Sequence, residues 1–316
     1  MKNNVILNLF SVFFGALFAS FVVAAEAINN ANAAAFYAAI ESNNTLSSSV
    51  GTKVESLSAT LLETPYGDGS LGEGENGLYD KDPLIRFDVF DCTTYVEAVL
   101  AGAISTSIDD FMPNLMALRY RDGKVSFMAR NHFPSADWIP NNQGLLTDIT
   151  KVVAGGAMMV GETVIDKAAW YQKMGKDRLK CDDESSADCD GLLSKLHAEG
   201  KAFSPQTATI DYVPLGAVYL DIKEDKWAGI NQALLDRIPT GSIINMVRPD
   251  WQLTKWIGTN MNVSHQSIAI RKDGRLYLRH ASLTHKKVTD EDFIEYFSTY
   301  LAGSSLKGFN VQMLNQ

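Results

Sequence analysis

A chain of 316 residues, 46% of them hydrophobic, is long enough to bury a substantial core in one domain or two. Its 28 basic and 37 acidic residues leave a formal net charge of −9. With no basic tract anywhere, that balance argues against nucleic acid as a partner.

The first elements of the chain are a targeting segment and its exit. Lys2 precedes an apolar run from Val5 to Ala25, with small residues at Ala24, Ala25 and Ala27. This reads as a secretory signal peptide over residues 1–27, cut after Ala25 or Ala27, which implies an exported, periplasmic protein. An uncleaved anchor is the alternative. No later run approaches the ~20 apolar residues of a membrane span, so no stable membrane association is expected after cleavage. Residues 28–316 read as one α+β domain.

Residues 28–60 carry helical stretches, and 64–85 form a Gly-rich acidic loop without the residue order of a calcium-binding EF-hand. The spacing of Val96, Val99, Leu100 and Ala103 predicts a helix from Cys92 to about Ile104, followed by a second over Ile108–Leu118. Tyr120–Met128 reads as an Asp-Gly turn entering a strand. Residues 145–205 read as a largely helical insertion. Strands are expected at Val213–Leu220, Gly241–Val247, Ser264–Ile270 and Leu276–His280. The capping-box pattern Thr289-Asp-Glu-Asp292 predicts a helix from Thr289 to about Leu301, and a strand closes the chain near Phe309–Met313.

Three cysteines in an exported chain leave one unpaired. Cys181 and Cys189 bracket a short acidic segment suited to local closure, and their pairing would contribute about 2–3 kcal/mol. Cys92 is then the free thiol. It stands at the start of a helix, where unpaired N–H groups and the dipole favour thiolate. The plainer reading is a small buried hydrophobe.

Two of the five histidines, His265 and His280, fall on a hairpin turned at Asp273-Gly274. A two-residue turn pairs Lys272 with Arg275 and, counted outward, sets Ser267 opposite His280. His265 is then a diagonal neighbour of His280 on one face, near enough for a hydrogen bond. A loop one residue longer would separate the two imidazoles. Thiol, base and orienting group are the requirements of nucleophilic catalysis, and Cys92, His265 and His280 can fill them. A zinc site would want three or four close ligands in spacings that are not present, so no metal or other cofactor is expected. The segment Arg130–Trp138 gathers charged, polar and aromatic residues; it reads equally as a ligand-binding cluster or a structured polar loop.

These residues carry a resemblance. Thr64-Pro-Tyr66, Phe90-Asp-Cys-Thr-Thr-Tyr-Val-Glu97, Arg119-Tyr-Arg-Asp-Gly123, Arg130-Asn-His-Phe133 with Asp137-Trp138, Ser264-His265 and Arg279-His-Ala-Ser282 occur in the order found in the N-acetylmuramoyl-L-alanine amidase-like family. That family, once a domain of unknown function, belongs to the NlpC-type papain-like cysteine hydrolases. The resemblance implies a papain-like fold, with a nucleophile helix packed on an antiparallel sheet. It also implies Cys92 as nucleophile, His265 as base and His280 as the orienting residue, with Tyr66, Arg130, Asn131, His132 and Trp138 in or near the substrate cleft. The implied substrates are muropeptides, cut between the lactyl group of (anhydro)N-acetylmuramic acid and L-alanine. A monomer is expected. A γ-D-glutamyl-diamino acid endopeptidase and a non-catalytic peptidoglycan-binding protein are the alternatives.

Overall fold

Cys92 opens a helix that is buried on nearly all sides, and the rest of the fold is arranged around it. The computed structural model describes residues 29–179, 181, 187–223 and 226–315. The N-terminal run read as a signal peptide lies outside the described residues. Among those described, no helix is long and apolar enough to cross a membrane.

The helical layer consists of α1 (29–45), α2 (Val50–Thr60), α3 (Cys92–Ile104) and α4 (Ile108–Arg119). Every residue of α3 from Thr94 to Ala103 is buried. The apolar stripe seen in the sequence is thus one side of a helix enclosed by its neighbours. Close approach requires Gly102: a Cβ there would stand 2.7 Å from the Phe36 ring of α1.

The strands are β1 (Leu146–Asp148), β2 (Met159–Ile165), β3 (Gln206–Pro214), β4 (Asp221–Lys223), β5 (Lys226–Ala228), β6 (Ile243–Trp251), β7 (Met261–Lys272), β8 (Arg275–Ser282), β9 (Lys287–Asp292) and β10 (Gly308–Leu314). The main antiparallel sheet runs β2-β3-β10-β6-β7-β8-β9, with β1 also paired to β10; β4 and β5 form a separate ribbon. Alternation along the strands buries both faces of the sheet. Ile243, Ile268, Ile270, Ala281 and Val288 pack with α3 on one face. On the other, Ile244, Met246, Ala269, Leu276 and Leu278 pack with Phe293 and Phe297 of the helix Phe293–Ser298.

Four expectations need correction. The strand expected at Val213–Leu220 is the end of β3, which stops at Pro214, a residue with no N–H to extend the ladder; Leu215–Val218 is a short helix. The Thr289 region is strand β9, and the following helix is capped by Asp292, whose side chain accepts from the N–H groups of Ile294 and Glu295. Tyr120–Met128 holds the expected turn at Arg121–Gly123 but no strand after it, because the chain turns again at Ser126, whose carbonyl accepts from the Ala129 and Arg130 N–H groups. The stretch 145–205 is not helical throughout: it supplies β1 and β2 to the main sheet, beside the helices Lys167–Lys173 and Ala187–Gly200.

Candidate active site

Asp91 caps α3. Its carboxylate accepts from the Thr94 N–H at 2.8 Å, and the Thr94 hydroxyl accepts from the Asp91 N–H at 3.1 Å. This reciprocal cap fixes the first turn, so Cys92 is held at the first helical position with its own N–H outside the helical ladder. Cys181 and Cys189 form a disulfide, and Cys92 is free.

The hairpin carrying the histidines pairs Lys272 with Arg275, as the Asp-Gly turn predicts, with both turn residues at positive φ. The ladder between β7 and β8 ends at Ile268↔Arg279, one pair short of His280. Beyond that point the strands part. The Ala269 N–H donates to Ser242, on the β6 side. Alternation therefore turns the Gln266 N–H toward the opening. The Cys92 sulphur lies against that amide. His265 Nε2 and His280 Nδ1 stand 2.6 Å apart with their rings edge to face. Both imidazoles lie on the sheet face roofed by Phe293–Ser298, whereas α3 packs on the opposite face. Cys92 thus meets β7 at Gln266, the residue next to His265. No hydrogen bond joins the thiol to the His265 ring in this resting arrangement.

The thiol is half-buried, opening to a cleft, yet protein packs closely around the sulphur. Burial, reinforced by the Asp91 carboxylate, pushes it up to about 12, outweighing the N–H groups that favour thiolate. Burial, and then the neighbouring His280, holds His265 down at about 3. Both groups are therefore uncharged at neutral pH. The thiolate suggested by the helix start alone is not the resting state.

A cleft of about 760 Å³ opens over Cys92. Asp91, Cys92, Thr93, Thr94 and Glu97 give its floor. Tyr66, Asp68 and Leu71 stand on one side, Phe127, Arg130, Asn131 and His132 on another, and Trp170, Lys173 and Arg178 beyond them, with Trp256 at the rim. His265 and His280 lie behind this surface. Burial and then Cys92 raise the Tyr66 hydroxyl to about 12. Arg130 donates to the Leu71 carbonyl at 2.9 Å and lies 3.6 Å from Glu73, a buried carboxyl raised to about 7 chiefly by desolvation. Asn131 is used at both ends, donating to the Leu118 carbonyl and accepting from Asn141. His132 sits against the Phe127 and Trp170 rings and pairs through Nε2 with the Phe127 carbonyl at 2.8 Å.

Trp138 is not in the cleft. It is fully buried, and its Nε1–H donates to Glu97 Oε1 at 3.2 Å, while Arg119 donates to Glu97 Oε2 at 2.7 Å. A residue that the sequence reading missed is Glu291, whose Oε2 lies 2.7 Å from His280 Nε2. A second hollow of about 650 Å³ beside Trp227 is lined by apolar residues and the hydroxyls of Thr299 and Ser304, with no charged group, imidazole or thiol among its lining residues.

The family described as N-acetylmuramoyl-L-alanine amidase-like matches residues 56–302. Among solved structures, a Legionella pneumophila protein superposes with a TM-score of 0.82 at 32% identity, over 89% of this chain and 94% of that one. An N-acetylmuramoyl-L-alanine amidase from Bacteroides uniformis superposes with a TM-score of 0.58 at 25% identity, over 84% of this chain and 99% of that one. Among curated proteins, no sequence matches.

Proposed function

This chain belongs to the N-acetylmuramoyl-L-alanine amidase-like family, and from that membership we propose a cysteine-dependent, papain-like hydrolase of peptidoglycan fragments, exported to the periplasm. The bond cut is the amide between the lactyl group of N-acetylmuramic acid, or its anhydro form, and L-alanine. The observation that carries this proposal is the placement of the one free thiol, at a capped helix start, on a cleft and beside an imidazole pair.

The steps follow from the residues. His265 Nδ1 takes the Cys92 proton, and the sulphur attacks the amide carbonyl carbon. The oxyanion is held by the Cys92 N–H, one of the amides left over at the helix start. Collapse breaks the C–N bond as His265 returns the proton to the leaving L-alanine nitrogen. Water, deprotonated in turn by His265, hydrolyses the thioester and restores the thiol. His280 keeps the His265 ring in place throughout. The cleft suits such a substrate in its materials: exposed indole at Trp256 and ring edges at Trp170 for a pyranose, and Arg130, Lys173 and Arg178 for peptide carboxylates.

Purified muropeptides incubated with the protein and weighed by mass spectrometry provide the test. Free stem peptides beginning with L-alanine are expected; release of L-Ala-D-Glu would make the protein an endopeptidase instead. Cys92→Ala should abolish hydrolysis, and unchanged turnover would remove the thiol from the mechanism.

A further inference from the structure

Thr289 lies opposite His280 across β8 and β9, so Glu291 is the diagonal neighbour of His280 on the same face. Counting across β7, β8 and β9, His265, His280 and Glu291 form one line of hydrogen-bonded side chains, with links of 2.6 and 2.7 Å. The line ends in a carboxylate held at both oxygens. Oε2 takes His280 and the Ser282 hydroxyl (3.4 Å), and Oε1 faces His285 at 3.2 Å. Tyr296 of the following helix packs edge to face on the His280 ring.

We infer that Glu291 is a positioning residue that sets the tautomers of both imidazoles and thereby leaves His265 Nδ1 able to accept the thiol proton. An ionised carboxylate can only accept, so His280 Nε2 must carry the hydrogen. With that single hydrogen on its ring, His280 presents a bare Nδ1, which can only accept, so His265 Nε2 must carry its own hydrogen. The one lone pair remaining on His265 is at Nδ1. The hydrogen bond from His280 keeps the Glu291 carboxyl below the usual carboxylate range, so it is ionised at neutral pH. With the carboxylate removed, His280 can hold its proton on Nδ1 instead. His265 Nε2 would then become the acceptor, and His265 would meet Cys92 with N–H where a base is needed.

The kinetic consequence rests on the hydrolase proposed above; the tautomers can be read without it. Glu291→Leu removes the acceptor, and Glu291→Gln keeps an acceptor oxygen but removes the charge. Long-range proton–nitrogen NMR spectra of the resting protein at neutral pH should show His265 protonated at Nε2 and bare at Nδ1. That pattern should persist in Glu291→Gln and be lost in Glu291→Leu. With muropeptide, Glu291→Leu should lower kcat about a hundredfold, Glu291→Gln roughly tenfold, and KM should hold. In Glu291→Gln the acid limb of the rate profile should move to lower pH, because the imidazolium form loses its carboxylate. A Glu291→Leu protein with His265 Nδ1 still bare and kcat within twofold of the parent overturns the inference. Should the parent protein cleave no muropeptide, the hydrolase proposal falls while the nitrogen spectra still decide the role of Glu291.

Discussion

Trp138 donates its indole N–H to Glu97, and through that bond a residue expected at the substrate stands behind the cleft floor. Glu97 is also paired with Arg119, whose Nη1 donates to the Leu84 carbonyl at 2.6 Å. The three side chains tie α3 to the end of α4 and to the segment before Trp138. Trp138→Phe should therefore cost roughly 1–3 kcal/mol of stability, as expected for an unpaired buried acceptor. Substrate KM should change little. Urea unfolding measures the first and muropeptide kinetics the second; a large KM rise with unaltered stability would return Trp138 to the cleft.

The uncharged state of Cys92 predicts slow alkylation. Iodoacetamide should modify the parent protein sluggishly at pH 7, with a rate still climbing above pH 10, since the thiol is pushed up to about 12. A rate already level near neutrality would mean a resting thiolate.

Acid should destabilise the fold. His132 and His265 are both held from their ordinary 6.5 down to about 3, mainly by burial. Each takes up a proton on unfolding, so the stability it gives is complete above 6.5 and is lost as pH falls toward 3. Glu73 acts in the opposite sense: raised from 4.5 to about 7, it favours the fold at low pH and ceases to as pH rises through that window. Two histidines against one carboxyl leave a net slope of roughly one proton between pH 4.5 and 6.5, or about 1.4 kcal/mol per pH unit. Urea midpoints across that range read the slope directly, and His132→Asn should flatten it.

Reduction of the Cys181–Cys189 disulfide should be felt in the cleft. The chain just before Cys181 supplies Lys173 and Arg178 to the lining. Cys181→Ser combined with Cys189→Ser is expected to cost about 2–3 kcal/mol through loop closure and to raise KM more than it lowers kcat. A variant with parental stability and KM would show the bridge to be incidental.

Trp256 is 64% exposed although the short helix Thr254–Ile257 that carries it is firmly held. Thr254 and the Leu253 N–H both donate to Asn260, and Gly258 (φ +83) rests so closely on the helix Lys167–Lys173 that a Cβ would stand 2.5 Å from the Ala169 oxygen. Trp256→Ala should raise KM several-fold for muramoyl-peptide, in line with the loss of an aromatic contact. The lactyl-peptide left after removal of the sugar should be handled equally by both proteins. Equal losses on the two substrates would place the indole elsewhere than on the pyranose.

The strands that carry the two imidazoles were legible because their signals are local. Asp273-Gly274 admits the positive φ of a tight hairpin turn, and the turn sets the register that brings His265 to His280. Cys92 was legible for the same reason, since its helix start carries a capping residue on one side and an apolar period on the other. Glu291 was hidden by a competing local signal. Thr289-Asp-Glu-Asp292 has the form of a helix cap, but pairing with β8 keeps Thr289–Asp292 extended, and the helix begins only after Asp292. The role of Trp138 depends on Glu97 and Arg119, residues 41 and 19 positions away, and no local pattern encodes that meeting.

The parting of β7 from β8 sets a limit on how this molecule can be hardened. Extending the ladder by two pairs would add backbone hydrogen bonds and raise the melting temperature. It would also draw the Gln266 amide into the ladder and away from the sulphur. Selection for heat resistance alone would favour that extension, so a stabilised library of this chain should be screened with the thiol reaction from its first round.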